Sequence, residues 1–309
     1  MQAMKTQATV RPRSLLWLGR ERGYLSDWIT QRWVELTGQR VDLQQQPWLQ
    51  APVGKIDGIG KDFFAELAIE SDLELQRGGE CGLLPEFAAL ASSSFQPDAV
   101  HPAVVRFYER TSQYDLDAWS EWCGAFRPFG WLLAALFSRR LQQLNVPLSA
   151  LDTSRGVTSE IVRLIDRSTR QVRLTAWVRE LVGTRNVLYA GSYSVCTVPG
   201  HAGPCVKVAF PLPNGNALVI MKPEAHPDGS FSVTSSGRKF GDPGFYFTVH
   251  KPGGGVVARY VAALRESIRV YAAESDFVRG DHVLTFWGMQ FLRLHYRLRA
   301  KPASGAVVP

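Results

Sequence analysis

Residues 205–222 read CVKVAFPLPNGNALVIMK, and this stretch decides the predicted fold. Alternate residues from Val206 to Phe210 are apolar, which is typical of a strand with one buried face. Asn214-Gly215 follows as the strongest turn signal in the chain, because Asn-Gly readily adopts the positive φ of a type I′ turn. Residues 217–222 are the natural return strand. The stretch therefore predicts an antiparallel hairpin.

The same pattern of short strands and Gly, Pro or Asn turns extends from residue 171 to residue 299. Residues 171–182 alternate apolar and polar side chains and predict a strand with one buried face. Residues 259–274 also fit a helix, although a strand is favoured, and Gly288 predicts a bulge or bend. The predicted strands are 171–182, 187–198, 205–210, 217–222, 230–234, 245–250, 256–261, 267–273 and 283–299.

Eight or nine antiparallel strands in mostly up-and-down order usually close into a barrel or form a curved sheet. The pattern resembles that of lipocalin-like barrels, although the first strand lacks a G-x-W signature, and a helix-grip sheet is the alternative. We therefore expect an α+β protein. Its helical N-terminal half would pack on an antiparallel, lipocalin-like β-barrel or curved sheet.

Helical spacing of apolar residues predicts the N-terminal elements. The predicted helices are 26–38, 61–69, 101–110 and 117–144. The last is the most apolar, and Pro128 is expected to break or kink it. It would pack over the barrel as a lid or core element. The alternative is that its aromatic residues lie on a membrane surface.

These elements predict three regions. Residues 1–159 form a mainly helical region with irregular loops, and the loop 151–160 joins it to the next region. Residues 160–301 form an antiparallel β-barrel-like domain, and residues 302–309 a flexible tail.

Composition limits the class of protein. The chain has 309 residues, of which 45% are apolar and 20% charged, as in ordinary globular proteins. Its longest apolar stretch, 130–137, is too short to span a bilayer, and residues 1–12 lack the apolar core of a signal peptide. We therefore expect a cytoplasmic protein with reduced cysteines.

Positive charge is concentrated in the second half of the chain. Residues 1–159 carry 16 Lys/Arg and 18 Asp/Glu, whereas residues 160–309 carry 19 and 10. The excess fits a solvated surface, an anionic ligand or an anionic membrane. No nucleic-acid-binding signature is present, so no nucleic-acid partner is expected.

The segment 291–299, FLRLHYRLR, places Arg293, His295 and Arg297 on one face of a strand. If this face points into the barrel, the two arginines could bind a carboxylate or phosphate and His295 could transfer protons. A row of polar residues facing solvent is the alternative.

Further site candidates lie in loops and in an acidic cluster. In 237–247, Asp242 is a possible acid or base, with Arg238 and Tyr246 as ligand-binding groups, although Asp-Pro-Gly is also ordinary turn chemistry. Glu121 is a candidate acid or base, unless its acidic neighbours simply cap a helix. Arg155 could bind a ligand at the joint between the two halves.

Metal and cofactor chemistry have weak support. Cys196 and Cys205 flank a predicted hairpin loop, 197–204, across which they could meet, and His201 lies within this loop. The spacing of the three residues matches no zinc motif. There is also no glycine-rich phosphate loop and no G-x-S-x-G nucleophile motif. We therefore expect neither a metal nor a cofactor.

The predicted function is to bind a hydrophobic small molecule with a polar or anionic head, of lipid, polyketide or isoprenoid type, in a β-barrel cavity. One alternative is a cofactor-independent isomerase, cyclase or hydratase that uses His295, Asp242 or Glu121. A second alternative is a peripheral membrane protein. The sequence does not determine the oligomeric state.

Overall fold

The computed structural model describes residues 16–19, 21–56, 58–133, 137–147, 153, 155–273 and 277–301. The protein is mostly antiparallel sheet, with 21% of it helical and 44% in strands. The predicted antiparallel β structure is therefore confirmed, whereas the helical N-terminal half is not.

The described helices are short. They are α1 (Leu25–Thr37), α2 (Phe63–Glu70), α3 (Pro102–Glu109), α4 (Arg127–Leu133) and α5 (Arg139–Leu141). Five 3-10 helices accompany them, at Pro47–Leu49, Phe87–Leu90, Pro97–Ala99, Thr111–Gln113 and Gly124–Phe126. Within the described ranges, no helix is both long and apolar enough to cross a bilayer.

Fourteen strands are described. They are β1 (Gln39–Val41), β2 (Leu73–Arg77), β3 (Tyr114–Trp122), β4 (Val157–Asp166), β5 (Val172–Leu181), β6 (Val187–Cys196), β7 (Cys205–Leu212), β8 (Gly215–Ala225), β9 (Phe231–Thr234), β10 (Phe245–His250), β11 (Val256–Tyr260), β12 (Leu264–Ala272), β13 (Phe277–Phe286) and β14 (Met289–Ala300).

The hairpin predicted around Asn214 is confirmed, but its turn differs. Leu212 pairs with Gly215, so Pro213 and Asn214 form the two-residue loop, and only Asn214 of these two has positive φ, at 58°. Proline followed by a residue of positive φ matches a type II turn rather than type I′. Gly215 is needed for another reason: a Cβ there would lie 1.9 Å from the carbonyl oxygen of Thr248 in β10.

The strands form one strongly curved sheet. Its main order is β2-β4-β5-β6-β7-β8-β9-β12-β13-β14-β3, and the first part of β8 also pairs with β10, which continues through β11 to β1. The sheet curves until β3 contacts β4, but no hydrogen-bonded register joins these two fully described strands. The sheet is therefore not closed into a barrel, and the lipocalin-like prediction is not confirmed.

One face of the sheet encloses a core. Ile161 of β4, Val206 of β7 and Leu298 of β14 belong to a single buried cluster, although they come from distant strands. Side chains of α3 and of the 3-10 helix Phe87–Leu90 fill one end, where Phe87 and Tyr108 pack on Phe231 at ring-centroid distances of 4.9 and 5.1 Å.

The other face is also covered along part of the sheet. Phe63 and Phe64 of α2 pack against Ala176 and Val178 of β5, as well as against β4. The prediction that β5 has only one buried face was therefore wrong. The positions expected to face solvent include Arg179, which is buried inside the curved sheet.

The predicted helix 117–144 was wrong over its first part. Leu116 and Ala118 are buried and alternate with the exposed Asp115 and Trp119, so this region is the edge strand β3. Beyond it, α4 begins at Arg127, with Pro128 in the first turn, where a missing N–H group is tolerated. Residues 134–136 of the predicted helix lie outside the described residues.

Two further predictions are corrected. The segment 151–160 is not a loop throughout, because β4 begins at Val157, and the proposed boundary between 159 and 160 falls inside this strand. Of the bulge or bend predicted at Gly288, the structure has the bend: Gly288, with φ 78°, lies in the turn between β13 and β14, whereas the register shift occurs at Leu284/Thr285. The strand favoured within 259–274 is confirmed as β12. The predicted tail 302–309 lies outside the described residues.

Candidate functional site

A small cavity lies inside the curved sheet, between its strands and α3. Its volume is about 60 Å³, which is room for about four water molecules by the space that one water needs. Most of its wall is apolar, formed in part by Leu83, Phe107, Val206, Met221, Val233 and Val270. A few polar side chains from β5, β6, β12, β13 and β14 complete it. Apolar walls with a few polar groups are typical of small-molecule sites.

Arg179 of β5 provides the positive charge of the cavity. It is 5% exposed, and its guanidinium carbon lies 4.1 Å from the ring centroid of Trp177 and 4.5 Å from that of Tyr189. Trp177 precedes it by two residues, so both side chains project from the same face of β5. This stacking fixes the plane of the guanidinium at the cavity wall.

The charge of Arg179 lacks an acidic partner. Among the described residues, no carboxylate lies within ion-pair distance of its guanidinium, and its Nε has no hydrogen-bond partner. A buried, unpaired cation destabilises a folded protein by several kcal/mol, and cation–π stacking offsets only about 2 kcal/mol. Arg179 is therefore suited to bind an anion.

Glu266 and His282 form a buried pair in the same wall of the cavity. Oε1 of Glu266 lies 2.7 Å from Nε2 of His282, and their side chains are 9% and 10% exposed. The N–H direction is not aligned with this contact, so Nε2 has no hydrogen-bond partner among the described residues. The other ring nitrogen, Nδ1, lies 3.2 Å from the hydroxyl of Tyr296. A carboxylate, an imidazole and a phenol thus form one chain of contacts.

The backbone around Glu266 is fixed by Ser235. The amide of Glu266 donates to Oγ of Ser235 at 2.7 Å, and the amide of Ser235 donates to the carbonyl of Glu266 at 2.9 Å. His282 lies on the neighbouring strand β13, opposite Ile268 of β12. The buried acid is therefore held by the sheet and by the segment after β9.

Three tyrosines surround these groups as neutral hydroxyls. Burial raises the pKa of Tyr193 to about 12, and burial also raises the pKa of Tyr189 well above its usual value. For Tyr296, burial raises the pKa despite the nearby charge of Arg179, which lowers it. At neutral pH each hydroxyl therefore keeps its proton and can donate a hydrogen bond.

The structure places Arg293, His295 and Arg297 on the face of β14 opposite the cavity. His295 Nδ1 lies 2.8 Å from Oδ1 of Asp281, and Arg297 donates to Asp117 at 2.7 Å. Arg293 donates to Gln290 at 3.0 Å. The side chains between them along the strand point inward, and Tyr296 among them lines the cavity.

Glu121, which we predicted as an acid or base, lies on β3 outside the cavity. Its carboxylate is 3.8 Å from Arg293, and its side chain is exposed. Arg155 is also exposed and lies beside Gly183, in the turn that follows β5. Neither residue lines the cavity.

Asp242, Arg238 and Tyr246 lie together, but away from the cavity. Asp242 accepts backbone N–H groups from Arg238 at 2.8 Å and Lys239 at 3.1 Å, which is a turn arrangement. Tyr246 is fully buried and donates to the carbonyl of Asp242 at 2.5 Å. The contacts of Asp242 and Tyr246 hold the loop between β9 and β10.

Our sequence interpretation missed Arg179, Glu266 and His282, and it read Tyr296 only as part of the apolar face of its strand. One signal was present: Trp177, a large apolar residue, occupies a position of β5 that we had expected to face solvent. Since alternate residues share a face, Arg179 belongs to the face of Trp177. Glu266 and His282 carry no comparable signal.

The two cysteines predicted to meet across a hairpin do so. Cys196 of β6 pairs in register with Cys205 of β7. Burial raises the pKa of the Cys196 thiol to about 11 and that of Cys205 to about 12. His201 lies in the intervening loop, and within the described ranges no three His, Cys, Asp or Glu side chains group as metal ligands.

Comparison with known proteins gives one distant relative. No protein-family model matches the chain, and no solved structure matches it significantly. It is similar to a Bacillus subtilis (strain 168) protein named "Uncharacterized membrane protein YndJ", with 26% identity over 243 residues. The similarity covers 78% of this chain, but the chain spans only about two fifths (41%) of that relative.

This comparison corrects one prediction. A cytoplasmic location was expected from the absence of an apolar spanning segment, and that prediction was wrong. It is overturned by the similarity to a relative named a membrane protein.

Proposed function

We propose that this protein binds a hydrophobic small molecule with an anionic head, and that the head contacts Arg179 inside the curved sheet. The observation that carries the proposal is the buried guanidinium without a carboxylate partner among the described residues. A carboxylate or phosphate would accept a hydrogen bond from its unpartnered Nε–H and neutralise its charge, and such charge-assisted hydrogen bonds are strong in a dry site.

The hydroxyls of Tyr193 and Tyr296 support the same ligand class. Both side chains line the cavity with the guanidinium, and both remain protonated at neutral pH because burial raises their pKa. Each can donate a hydrogen bond to an anionic head. The name of the Bacillus relative, a membrane protein, favours a lipid-type ligand among the classes considered.

The size of the cavity limits how much of the ligand it holds. A volume of about 60 Å³ fits a head group, whereas a tail needs the apolar wall to move. Met221 is a wall residue, and its unbranched, flexible side chain adapts readily to a new shape. The ligand would enter head first and separate the apolar side chains behind it.

The proposal is tested by native mass spectrometry of the purified full-length chain, followed by solvent extraction of any bound molecule. We expect an anionic amphiphile in the wild type and none in Arg179→Met. An identical cargo in both proteins would contradict the proposal. So would a wild type that carries nothing and takes up no added octanoate.

A second function, that of a cofactor-independent isomerase, cyclase or hydratase, has support from a different observation. Glu266, His282 and Tyr296 form a chain of acid and base groups at the cavity, as proton transfer to a bound substrate needs. In this case Glu266→Gln would abolish turnover and leave ligand binding intact. Equal turnover by wild type and Glu266→Gln would exclude Glu266 as the base.

A further inference from the structure

A group of exposed apolar side chains lies at one end of the sheet. Trp131 is 60% exposed and Trp287 is 74% exposed, values far above those of ordinary tryptophans in a folded protein. The others in the group are Phe129, Leu132 and Met289. Three of the five belong to α4 and two to the start of β14 and the turn before it. We call these five residues the aromatic end.

The two parts of the aromatic end are connected by direct contacts. The amide of Cys123 donates to the carbonyl of Phe291 at 3.0 Å, and the rings of Phe126 and Phe291 lie 6.0 Å apart. Gly130 of α4 lies against Trp122, since a Cβ there would be 2.5 Å from the indole. Helix α4 and the first residues of β14 therefore share one surface.

The charge next to this surface is mainly positive. Residues 122–133 contain one arginine and no Asp or Glu, and residues 282–309 contain no Asp or Glu. Arg127, in the first turn of α4, is exposed, and no described carboxylate lies within ion-pair distance of it, whereas the neighbouring Glu121 of β3 is 3.8 Å from Arg293. Exposed aromatic side chains beside an unpaired arginine are typical of a surface that binds anionic lipid.

We propose that the aromatic end is a docking surface for an anionic lipid bilayer. Trp131 and Trp287 would lie at the level of the headgroups, where tryptophan is favoured, and Phe129, Leu132 and Met289 would reach the acyl boundary. Arg127, in the first turn of α4, would contact the lipid phosphates. A second copy of this chain fits less well, because pairing two such surfaces would bring like charges together.

The aromatic end lies near the cavity wall, although the proposed lipid contact does not depend on the cavity. Trp122 and Phe291 pack on a buried cluster that contains Leu292, Leu294 and Tyr189. Tyr189 also lines the cavity. One buried cluster therefore contacts both the residues beside the aromatic end and the wall of the cavity. The docking surface stands on its own exposed residues and charges, whether or not the cavity holds a ligand.

Flotation of the full-length protein with vesicles tests the proposal. The vesicles contain equal parts phosphatidylcholine and phosphatidylserine, with pure phosphatidylcholine as the comparison. We expect the wild type to float with the anionic vesicles and to be released by high salt. Trp131→Ser and Trp287→Ser should each weaken partitioning by at least about tenfold, from the apolar area that each indole buries. Arg127→Gln should weaken it about fivefold.

Leu36→Ser and Ile69→Ser are matched controls, because these side chains are 82% and 83% exposed on α1 and α2, away from the aromatic end. Both should bind vesicles as the wild type does. Wild type that stays in solution overturns the proposal, as does equal loss of binding in the control and test variants. Self-association that is lost in Trp131→Ser and Trp287→Ser, with no vesicle binding, would assign the surface to a second copy.

Discussion

The guanidinium of Arg179 lies 4.1 Å from the ring centroid of Trp177, two residues earlier on the same face of β5. Both residues are buried inside the sheet, at 5% and 7% exposure. The Trp177 ring stabilises the guanidinium of Arg179 by a cation–π contact, but the ring does not neutralise the positive charge. Among the described residues the charge has no carboxylate partner, and this separates Arg179 from an ordinary structural arginine.

The first prediction concerns stability. Arg179→Met removes the buried charge and keeps an apolar side chain against Trp177. We expect the free energy of unfolding to stay the same or to rise by about 1 kcal/mol, because an unpaired buried charge opposes folding. Urea denaturation measures this. Arg173→Met, at the exposed start of β5, is the control and should change little. A loss of several kcal/mol in Arg179→Met would show that the arginine is structural.

The second prediction uses Gly280 to fill the cavity. Gly280 lines the cavity, and a Cβ there would meet Cδ2 of Tyr296 at 3.4 Å, an ordinary contact. Gly280→Ala should therefore fold normally and reduce ligand affinity by occupying space. Gly253→Ala is the control, since a Cβ at that turn meets no atom within 4 Å. Calorimetric titration with octanoate measures the affinity, and undiminished binding by Gly280→Ala would place the ligand elsewhere.

The third prediction tests the coupling between Glu266 and His282. Glu266→Leu alone should destabilise the protein by about 3 kcal/mol, because it leaves His282 buried without its partner. The double variant Glu266→Leu/His282→Leu should recover most of this loss. A double-mutant cycle from urea denaturation measures the coupling, which we expect at about 1 to 3 kcal/mol. Additive effects of the two changes would mean that the 2.7 Å contact contributes nothing.

The fourth prediction concerns thiol reactivity. Because burial raises the pKa of Cys196 to about 11 and that of Cys205 to about 12, both remain thiols at neutral pH. Thiolates react and thiols do not, so alkylation of both should be slow at pH 8 and accelerate with rising pH. The partly exposed Cys123 should react first. Peptide mapping after iodoacetamide treatment gives the order, and rapid labelling of Cys205 in the folded protein would contradict its burial.

Most strands of the C-terminal half could be predicted because their signals are local. β4 was not predicted, and the predicted strand 283–299 is divided between β13 and β14 by the turn at Gly288. The turn at Pro213 to Gly215 and the apolar runs beside it specify β7 and β8 without information from the rest of the chain. Residues 117–122 could not be assigned in this way. Their apolar spacing fits both a helix and a strand, and only pairing with β14, which is distant in the sequence, decides between them.

The site was less predictable than the fold because burial, not residue type, defines it. Arg297 and Arg179 look alike in the sequence, each on an alternating strand. Arg297 pairs with Asp117 at the surface, whereas Arg179 lies inside the curved sheet, since α2 covers the opposite face of β5. This difference depends on which face of each strand lies inside the curved sheet. The alternation of residues along a strand does not specify that face.

Binding of an anionic head by Arg179 is tested most directly by comparing two ligands with the same tail. Isothermal titration of wild type and Arg179→Met with octanoate and with octanol isolates the contribution of the charge. We expect wild type to bind octanoate at least about tenfold more tightly than octanol, as for a hydrogen bond to a charged group. Arg179→Met should bind the two equally. Equal affinity of the wild type for both, or an unchanged preference in Arg179→Met, would contradict the claim.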